Sequence, residues 1–196
     1  MRGCLKFVAI VLAVVAGVAL AAGAALWWAG RDALPVGDRI GVVEVKGFIA
    51  DARPAVEALR EFRKDDDVKA VVVRVESPGG GIAPSQEIHD EVRRTAAEKP
   101  VIVSMGALAA SGGYYVSAPA TGIVALPGTA TGSIGVILQF QEVHVLFDKL
   151  GLRTRVVKSG PLKDAGSPFR EMTDEDRAVF QQLIDDLFQQ FVDAVA

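Results

Sequence analysis

Three clusters of small residues, each containing a serine, are the parts of this 196-residue chain whose residue types suit catalysis. They are Ser77–Gly81, Gly106–Gly113 and Thr129–Gly135. Glycine permits positive φ and a close backbone approach, so such loops can aim N–H groups at a developing oxyanion. A single glycine-rich loop is more often just a tight turn. Three loops that converge on one site predict a catalytic centre.

Ser111 is the candidate nucleophile, because the run Ala109-Ala-Ser-Gly-Gly113 places it between a predicted strand and a predicted helix. The alternative is a serine that merely caps the helix. A nucleophilic serine needs a base, and histidine is the first type to test. His89 and His144 both fall within predicted helices, and we expect His89 on a solvated face. This placement argues against a Ser-His-Asp triad.

Lysine is the alternative base. A free lysine has a pKa of about 10.4, so it must be desolvated to be neutral near working pH. Lys163 lies in the polar loop Lys158–Ser167, whereas most other lysines lie in charged runs or near turns. On position alone, an ordinary surface lysine is the simpler interpretation of Lys163.

The elements that must position these residues alternate between strands and helices, which predicts an α/β domain with a mostly parallel sheet. In such sheets, sites form at the carboxyl ends of the strands. The predicted strands are Arg39–Lys46, Val68–Val75, Val101–Met105, Ile123–Leu126, Ile134–Leu138 and Arg153–Lys158. The predicted helices are a segment from Pro54 to the charged run Arg63–Asp67, then Pro84–Glu98, Gly113–Ser117, Glu142–Leu150 and a last helix capped by Thr173–Asp176.

Composition excludes several classes of function. The formal net charge is −3 and no basic run is present, so a nucleic-acid partner is not expected. The single cysteine is Cys4, which leaves no disulfide and no thiol nucleophile in the folded part. With two histidines and no cysteine near them, a structural zinc site is not expected either.

The N-terminal segment Phe7–Ala29 contains only apolar residues and two glycines. As a helix it would reach about 35 Å, enough to cross a bilayer core of about 30 Å. Arg2 and Lys6 precede it, so the positive-inside rule places the N-terminus in the cytoplasm and the folded domain outside. The alternative is a cleavable signal peptide. We therefore predict a cytoplasmic N-terminus and anchor at 1–30, a tether at 31–38 and a catalytic domain at 39–196.

Four ordered motifs resemble the bacterial signal peptide peptidase A family. The motifs are Val75–Gly81, Ala109–Tyr115, Thr131–Val136 and Lys158–Asp164, and the resemblance runs from about Arg39 to the end. The resemblance implies a Clp protease/crotonase-like spiral of ββα units behind one N-terminal transmembrane helix. Short members of the family continue past the point where this sequence stops, so we expect a domain that is incomplete at its C-terminus.

The same resemblance assigns roles to five residues. It implies that Ser111 is the nucleophile and Lys163 the general base of a Ser-Lys dyad. Ser133 would hold the lysine amine, and the amides of Gly80 and Gly112 would form the oxyanion hole. We expect the neighbouring Asp164 to point away from the amine, toward Arg170 or a backbone donor.

The function implied by the resemblance is a serine endopeptidase of the cell membrane that degrades cleaved signal peptides. It needs no metal or organic cofactor, takes apolar peptides as substrates and assembles as a homo-oligomeric ring. An apolar substrate groove is predicted, although its residues could equally be core. They are Ile82, Leu108, Tyr114, Tyr115 and Ile137.

Three other functions fit parts of the sequence. A crotonase-type acyl-CoA enzyme shares the two-amide oxyanion hole but lacks the serine nucleophile. A non-catalytic membrane scaffold would keep the fold without the chemistry. A related membrane serine protease would act on a partner membrane protein instead of signal peptides.

Overall fold

The computed structural model describes residues 14–25 and 37–196. The chain divides into two compact units, 1–38 and 39–196. Residues 14–25 are helical (α1), while the rest of the predicted span Phe7–Ala29 and most of the tether lie outside the described residues. Among the residues that are described, no helix combines the length and the apolar character needed to cross a membrane.

The second unit is built on a parallel sheet of five strands, as the alternation of strands and helices predicted. The strands are β1 (Arg39–Lys46), β2 (Val68–Ser77), β3 (Val101–Ala110), β4 (Gly122–Val124) and β5 (Ala130–Gly132). β1, β2 and β3 lie side by side in that order. The long strand β3 then pairs with β4 through Ile102–Ser104 and with β5 through Leu108–Ala110.

Five helices and one 3-10 turn complete the unit. They are α2 (Arg53–Lys64), α3 (Ile82–Ala96), α4 (Gly112–Ser117), α5 (His144–Lys149), the 3-10 turn Pro161–Asp164 and α6 (Asp174–Val195). Thr173 caps α6 in a capping box with Asp176, as its sequence predicted. α3 begins at Ile82, two residues before the predicted start at Pro84.

The hydrophobic core lies between one face of the sheet and helices α2 to α4. Its strand side chains are fully buried valines, and alternate residues of β1 point into it while the residues between them are exposed. The fully buried members are Leu59, Val71, Val73, Val75, Val92, Val101, Val103, Ala109 and Val116. This core fixes β2 and β3, the two strands that lead into the first two serine-bearing clusters.

Strand β3 is five residues longer than predicted, because the segment expected to be a turn from Gly106 continues as strand to Ala110. The β2–β3 ladder is irregular there, and the Glu76 carboxylate supplies the missing acceptors. It accepts the N–H groups of Ala107 at 3.1 Å and Leu108 at 3.3 Å. A Cβ at Gly106 would lie 1.5 Å from Glu76 Oε2, so a larger residue would displace this carboxylate from its position. The Glu76 side chain of the neighbouring strand thus stabilises β3 up to the turn at Ser111.

Two of the predicted strands are wrong. Ile134–Leu138 and Arg153–Lys158 do not form strands, and β5 instead occupies Ala130–Gly132, which we predicted to be a polar connection. The two segments are β-branched and locally suited to a strand, but neither has a ladder partner among the residues described. Strand propensity depends on packing against a neighbouring strand. Here β5 already pairs with the last residues of β3, Leu108–Ala110.

Candidate active site

Ser111 lies immediately after β3, at the N-cap of α4, in a strained backbone conformation. Its φ is 52° and its ψ is −120°, and among the described residues only Ser111 and Ser133 have positive φ without being glycine. Such conformations cost about 1–3 kcal/mol each and persist only where surrounding structure imposes them. The Ser111 N–H donates to the Gly132 carbonyl at 2.8 Å, and the Ser111 carbonyl accepts from Tyr115 N–H at 2.8 Å. The ends of β3 and β5 therefore hold the serine in place.

The glycine loop after β2 packs its backbone directly against this turn. A Cβ at Gly79 would lie 2.6 Å from Gly112 N and 2.9 Å from Ser111 Cβ, and the φ of Gly79 is +99°. A Cβ at Gly112 would lie 3.2 Å from Gly80 N. Neither position could carry a side chain without displacing its neighbour. Two of the three serine-bearing clusters thus meet at van der Waals distance.

Buried hydrogen bonds fix the shape of the glycine loop. The fully buried Ser77 hydroxyl donates to the Gly47 carbonyl at 2.6 Å and accepts the Gly79 N–H at 3.0 Å. Ile49 N–H donates to the Gly79 carbonyl at 3.0 Å, and Gly81 N–H donates to the Ile49 carbonyl at 2.8 Å. These bonds hold the loop on either side of Gly80.

Two backbone donors beside Ser111 lack an acceptor within the part of the chain that the structure describes. One is Gly80 N–H, which lies between the two bonds to Ile49. The other is Gly112 N–H, at the first position of α4, where no intrahelical acceptor exists. A buried unpaired N–H is costly unless a ligand or water satisfies it. The pair can therefore accept a negatively charged oxygen next to the serine hydroxyl.

A small pocket of about 40 Å³ opens at Ser111. Gly80 and Gly112 contribute its polar side. Its apolar lining comes from three helices and the segment after β5, and includes Ile82, Tyr115, Val136, Leu187 and Phe191. The pocket therefore presents an apolar surface next to the Ser111 side chain.

The predicted groove residues are divided between this pocket and other places. Ile82 and Tyr115 line the pocket. Tyr114 packs against the hydrophobic core, Leu108 is half-buried, and Ile137 is 73% exposed. The groove as a whole stays a prediction.

His89 is buried, which corrects the expectation of a solvated face. Its ring lies 4.8 Å from that of Tyr115, which in turn lies 4.9 Å from Phe191 at the end of α6. Burial lowers the pKa of His89 even though Asp90 lies 3.2 Å away. The sequence pattern of α3 alone could not show that α6 and Tyr115 cover this position. Within the described part of the chain, no histidine lines the pocket that contains Ser111.

Lys163 and Ser133 are both exposed. Ser133 directly follows Gly132, the residue whose carbonyl accepts from Ser111 N–H, so the third cluster also reaches the serine turn. Lys163 lies in the 3-10 turn, and it is not among the residues that line the Ser111 pocket. The structure therefore brings together Ser111, Gly80 and Gly112, but it does not bring Lys163 into their pocket.

The Asp164 carboxylate points away from the Lys163 amine, as expected. It accepts from Arg170 Nη2 at 3.0 Å and from Lys158 Nζ at 2.6 Å. Hydrogen bonds from Arg170 and then Lys158 lower the pKa of Asp164 to about 2. Asp164 therefore stays ionised with its charge already balanced by two cations.

Comparison with known proteins identifies the family. Residues 93–196, more than half of the chain, match the model of peptidase family S49. The chain belongs to family S49. The expected kinship with signal peptide peptidase A proteins is thereby confirmed.

Individual relatives of the S49 chain cover different parts of it. A relative from Methanocaldococcus jannaschii is 42% identical over 74% of this chain and 47% of its own length. A relative from Enterococcus faecium, named after signal peptide peptidase SppA, is 40% identical over 70% of this chain and 40% of its own length. The S49 chain thus spans less than half of each. A solved complex of the 1510-N membrane-bound stomatin-specific protease with a substrate peptide is 24% identical, covers 55% of this chain and 50% of the other, and has a TM-score of 0.43.

Sequence reasoning missed two pocket residues of the S49 chain, Leu187 and Phe191. Both belong to the apolar stripe of α6, and nothing in an amphipathic pattern shows which cavity the stripe will border. Phe191 is one of only two buried residues in 118–196. Its place beside Tyr115 follows from how the last helix packs, which the sequence did not reveal.

Proposed function

We propose that this S49 chain is a serine endopeptidase in which Ser111 is the nucleophile and Lys163 the general base. In this proposal the segment Phe7–Ala29 anchors it in the membrane, with the catalytic domain outside the cytoplasm. Its substrates are apolar peptides, namely the remnants of cleaved signal peptides. The observation that carries the proposal is a serine held at positive φ beside two glycine N–H groups that have no acceptor among the residues described.

The first half of the reaction forms an acyl-enzyme. The neutral amine of Lys163 takes the hydroxyl proton of Ser111, and the serine oxygen bonds to the peptide carbonyl carbon. The carbonyl π electrons move onto oxygen, and the amides of Gly80 and Gly112 stabilise that charge. Each such donor is typically worth about 3–4 kcal/mol. The carbon–nitrogen bond then breaks, and Lys163 returns its proton to the departing amine.

The second half releases the product. Lys163 takes a proton from water, whose oxygen attacks the ester carbonyl in the same oxyanion site. Collapse of this intermediate breaks the bond to Ser111, and the serine oxygen recovers its proton from the lysine. No group is oxidised or reduced, and the sum is the hydrolysis of one peptide bond.

Assembly is part of the proposal, because Lys163 is exposed and does not line the Ser111 pocket. Residues 118–196 expose eighteen large apolar side chains, and apolar surface that is exposed in large patches typically marks an interaction site. We propose that copies of the chain cover this surface in a homo-oligomer, and that the assembly brings a lysine amine to Ser111 and excludes water from it. Exclusion of water is what a neutral lysine requires.

The decisive experiment compares wild type, Ser111→Ala and Lys163→Ala on an unstructured apolar peptide, using the full chain in detergent micelles. Both variants should lose peptidase activity by on the order of 10³-fold or more. Lys149→Ala, which removes another exposed lysine, is the matched control and should stay within about twofold of wild type. Circular dichroism checks that all variants are folded. Full activity in Lys163→Ala would contradict the dyad.

Mixing the two inactive variants tests how the dyad is assembled. If serine and lysine come from different copies, a mixture of Ser111→Ala and Lys163→Ala subunits contains complete sites and regains part of the activity. If both come from the same copy, the mixture stays inactive.

A further inference from the structure

We infer that Arg170 is a positioning residue for Lys163, and that it acts by tying the turn that carries the lysine to the start of α6. The inference rests on the proposed role of Lys163 as general base. Arg170 does not line the Ser111 pocket, so it would act through the turn and not on the substrate.

The turn Pro161–Asp164 is held at both of its ends by cations. Lys158 Nζ donates to the Pro161 carbonyl at 2.7 Å and to the Asp164 carboxylate at 2.6 Å. Arg170 Nη2 donates to the Asp164 carboxylate at 3.0 Å and to the Asp164 carbonyl at 3.2 Å. No residue of the turn is buried, so hydrophobic packing does not fix it. These bonds hold the turn together with two backbone bonds, from Lys163 N–H to the Gly160 carbonyl at 3.2 Å and from Ala165 N–H to the Leu162 carbonyl at 3.1 Å.

The Arg170 guanidinium also donates to a buried carboxylate in the first turn of α6. Asp176 is 1% exposed and accepts from both Nη atoms of Arg170, with Nη2 at 3.0 Å. The same carboxylate accepts Thr173 N–H at 3.1 Å in the capping box of α6. A planar guanidinium can serve several acceptors in fixed directions, whereas a lysine ammonium acts as a point charge. Arg170 therefore transmits the position of the α6 N-terminus to the turn.

The bonds of Arg170 and Lys158 leave the Lys163 amine without a partner, and they occupy the Asp164 carboxylate that could otherwise pair with it. Among the residues described, the Lys163 side chain has no hydrogen-bond or ion-pair partner. The bonds from Lys158 and Arg170 go to backbone carbonyls of the turn and to the Asp164 carboxylate. An unpaired carboxylate at Asp164 would favour the charged form of the adjacent amine. Bonds from Arg170 and Lys158 satisfy that carboxylate instead. Arg170 thus affects both where the amine lies and which charge surrounds it.

The test measures kcat, KM and their pH dependence for Arg170→Lys, with Arg177→Lys, at an exposed position near the start of α6, as the matched control. Arg170→Lys keeps the charge but loses the bridging geometry. We expect kcat to fall by about 10- to 100-fold, because a displacement of about 1 Å at a catalytic group can have this effect. KM should change less than about twofold, and the pH at half-maximal kcat should rise. Arg177→Lys should match wild type in all three quantities.

Asp164→Asn keeps the inference testable if Arg170→Lys is poorly folded. It removes the carboxylate on the turn while the bonds between Arg170 and Asp176 and the helix cap remain. The expected result is again a lower kcat with little change in KM.

The possible outcomes separate this inference from the proposed function. If Lys163→Ala is inactive while Arg170→Lys and Asp164→Asn behave like Arg177→Lys, Arg170 has no positioning role and only the inference is overturned. A lower melting temperature with unchanged kcat and pH profile would show a purely structural role and would overturn it as well. If Lys163→Ala is as active as wild type, the dyad itself is wrong and the inference falls with it.

Discussion

Residues 39–117 and 118–196 are stabilised in different ways, although they belong to one compact unit. In the first region a core of buried valines, leucine and isoleucine packs one face of the sheet against three helices, and four large apolar side chains are exposed. In the second region only Asp176 and Phe191 are buried, and eighteen large apolar side chains are exposed. In the second region, the ion pairs of Arg170 and the capping box of α6 hold the start of the last helix.

The proposed catalytic residues are divided between these two regions. Ser111, Gly80 and Gly112 belong to the first region, where the geometry is complete within one chain. Lys163 belongs to the second region, where hydrogen bonds from the charged side chains of Lys158 and Arg170 hold the turn that contains it. In the proposed mechanism, the fold of one chain therefore forms the nucleophile and its oxyanion site, whereas the base reaches them only through assembly.

The largest difference should appear when apolar side chains of the two regions are truncated. Leu59→Ala removes a fully buried side chain from the first region and should lower the free energy of unfolding by about 2–5 kcal/mol. Leu150→Ala, at a position 63% exposed, should cost less than about 0.5 kcal/mol. Urea denaturation at low protein concentration measures both. Equal losses would show that the second region is packed as tightly as the first.

A second test concerns the close approach of backbones at the oxyanion site. Gly79→Ala would place a methyl group 2.6 Å from Gly112 N, so the turn must shift. We expect kcat/KM to fall by about 10²-fold, the usual effect of losing one oxyanion donor. Gly128→Ala, in the second region with open space around it, is the control and should keep full activity. An active Gly79→Ala enzyme would argue against the proposed oxyanion hole.

A third test asks how far the second region depends on its helix cap. Thr173→Ala removes the hydroxyl that accepts Asp176 N–H at 3.1 Å and should destabilise α6 by about 1 kcal/mol. Amide hydrogen exchange along α6 measures this loss locally. Thr154→Ala, at an exposed position outside the cap, should leave the exchange rates unchanged. A similar increase in both variants would mean that the cap adds nothing specific.

The smallest expected effect is the acid sensitivity of the second region. Arg170 and Lys158 lower the pKa of Asp164 from 3.8 to about 2 in the folded chain. A carboxyl whose pKa is lower in the folded state adds stability above its unfolded pKa and loses it as the pH falls toward its folded pKa. The contribution should therefore be complete above pH about 4 and disappear toward pH about 2. Melting temperatures of wild type and Asp164→Asn should differ at pH 7 and converge over that interval; a constant difference would contradict the assignment.

The elements of both regions that the sequence predicted best are those that follow from local patterns. The alternating strand Arg39–Lys46 and the cap at Thr173 were found with correct bounds, since pleating and capping are decided by neighbouring residues. Ser111 could be identified from its small-residue cluster between a strand and a helix. The strained φ that makes it distinctive depends on Gly79 and Gly132, which are distant in sequence.

The errors arose wherever a distant residue decides the structure. β3 continues past Gly106 because Glu76 supplies acceptors from the neighbouring strand. His89 is buried because the end of α6 and Tyr115 cover it, which α3 alone does not indicate. Ile134–Leu138 has the composition of a strand, but the free end of β3 is already paired with β5. Local composition determines which secondary structure a segment prefers. Whether the segment adopts that structure depends on residues that are distant in sequence.

The strained serine turn has a consequence for the order of folding. The backbone of Ser111 is constrained only once the loop after β2 and the end of β5 are both in place, and these come from opposite sides of it along the chain. Until such non-local contacts exist, a serine relaxes to an ordinary conformation, and contacts of this kind are slow to form. If Ser111 is the nucleophile, as proposed, the chain should therefore gain its reactive hydroxyl among the last steps of folding, and partly folded molecules should lack peptidase activity.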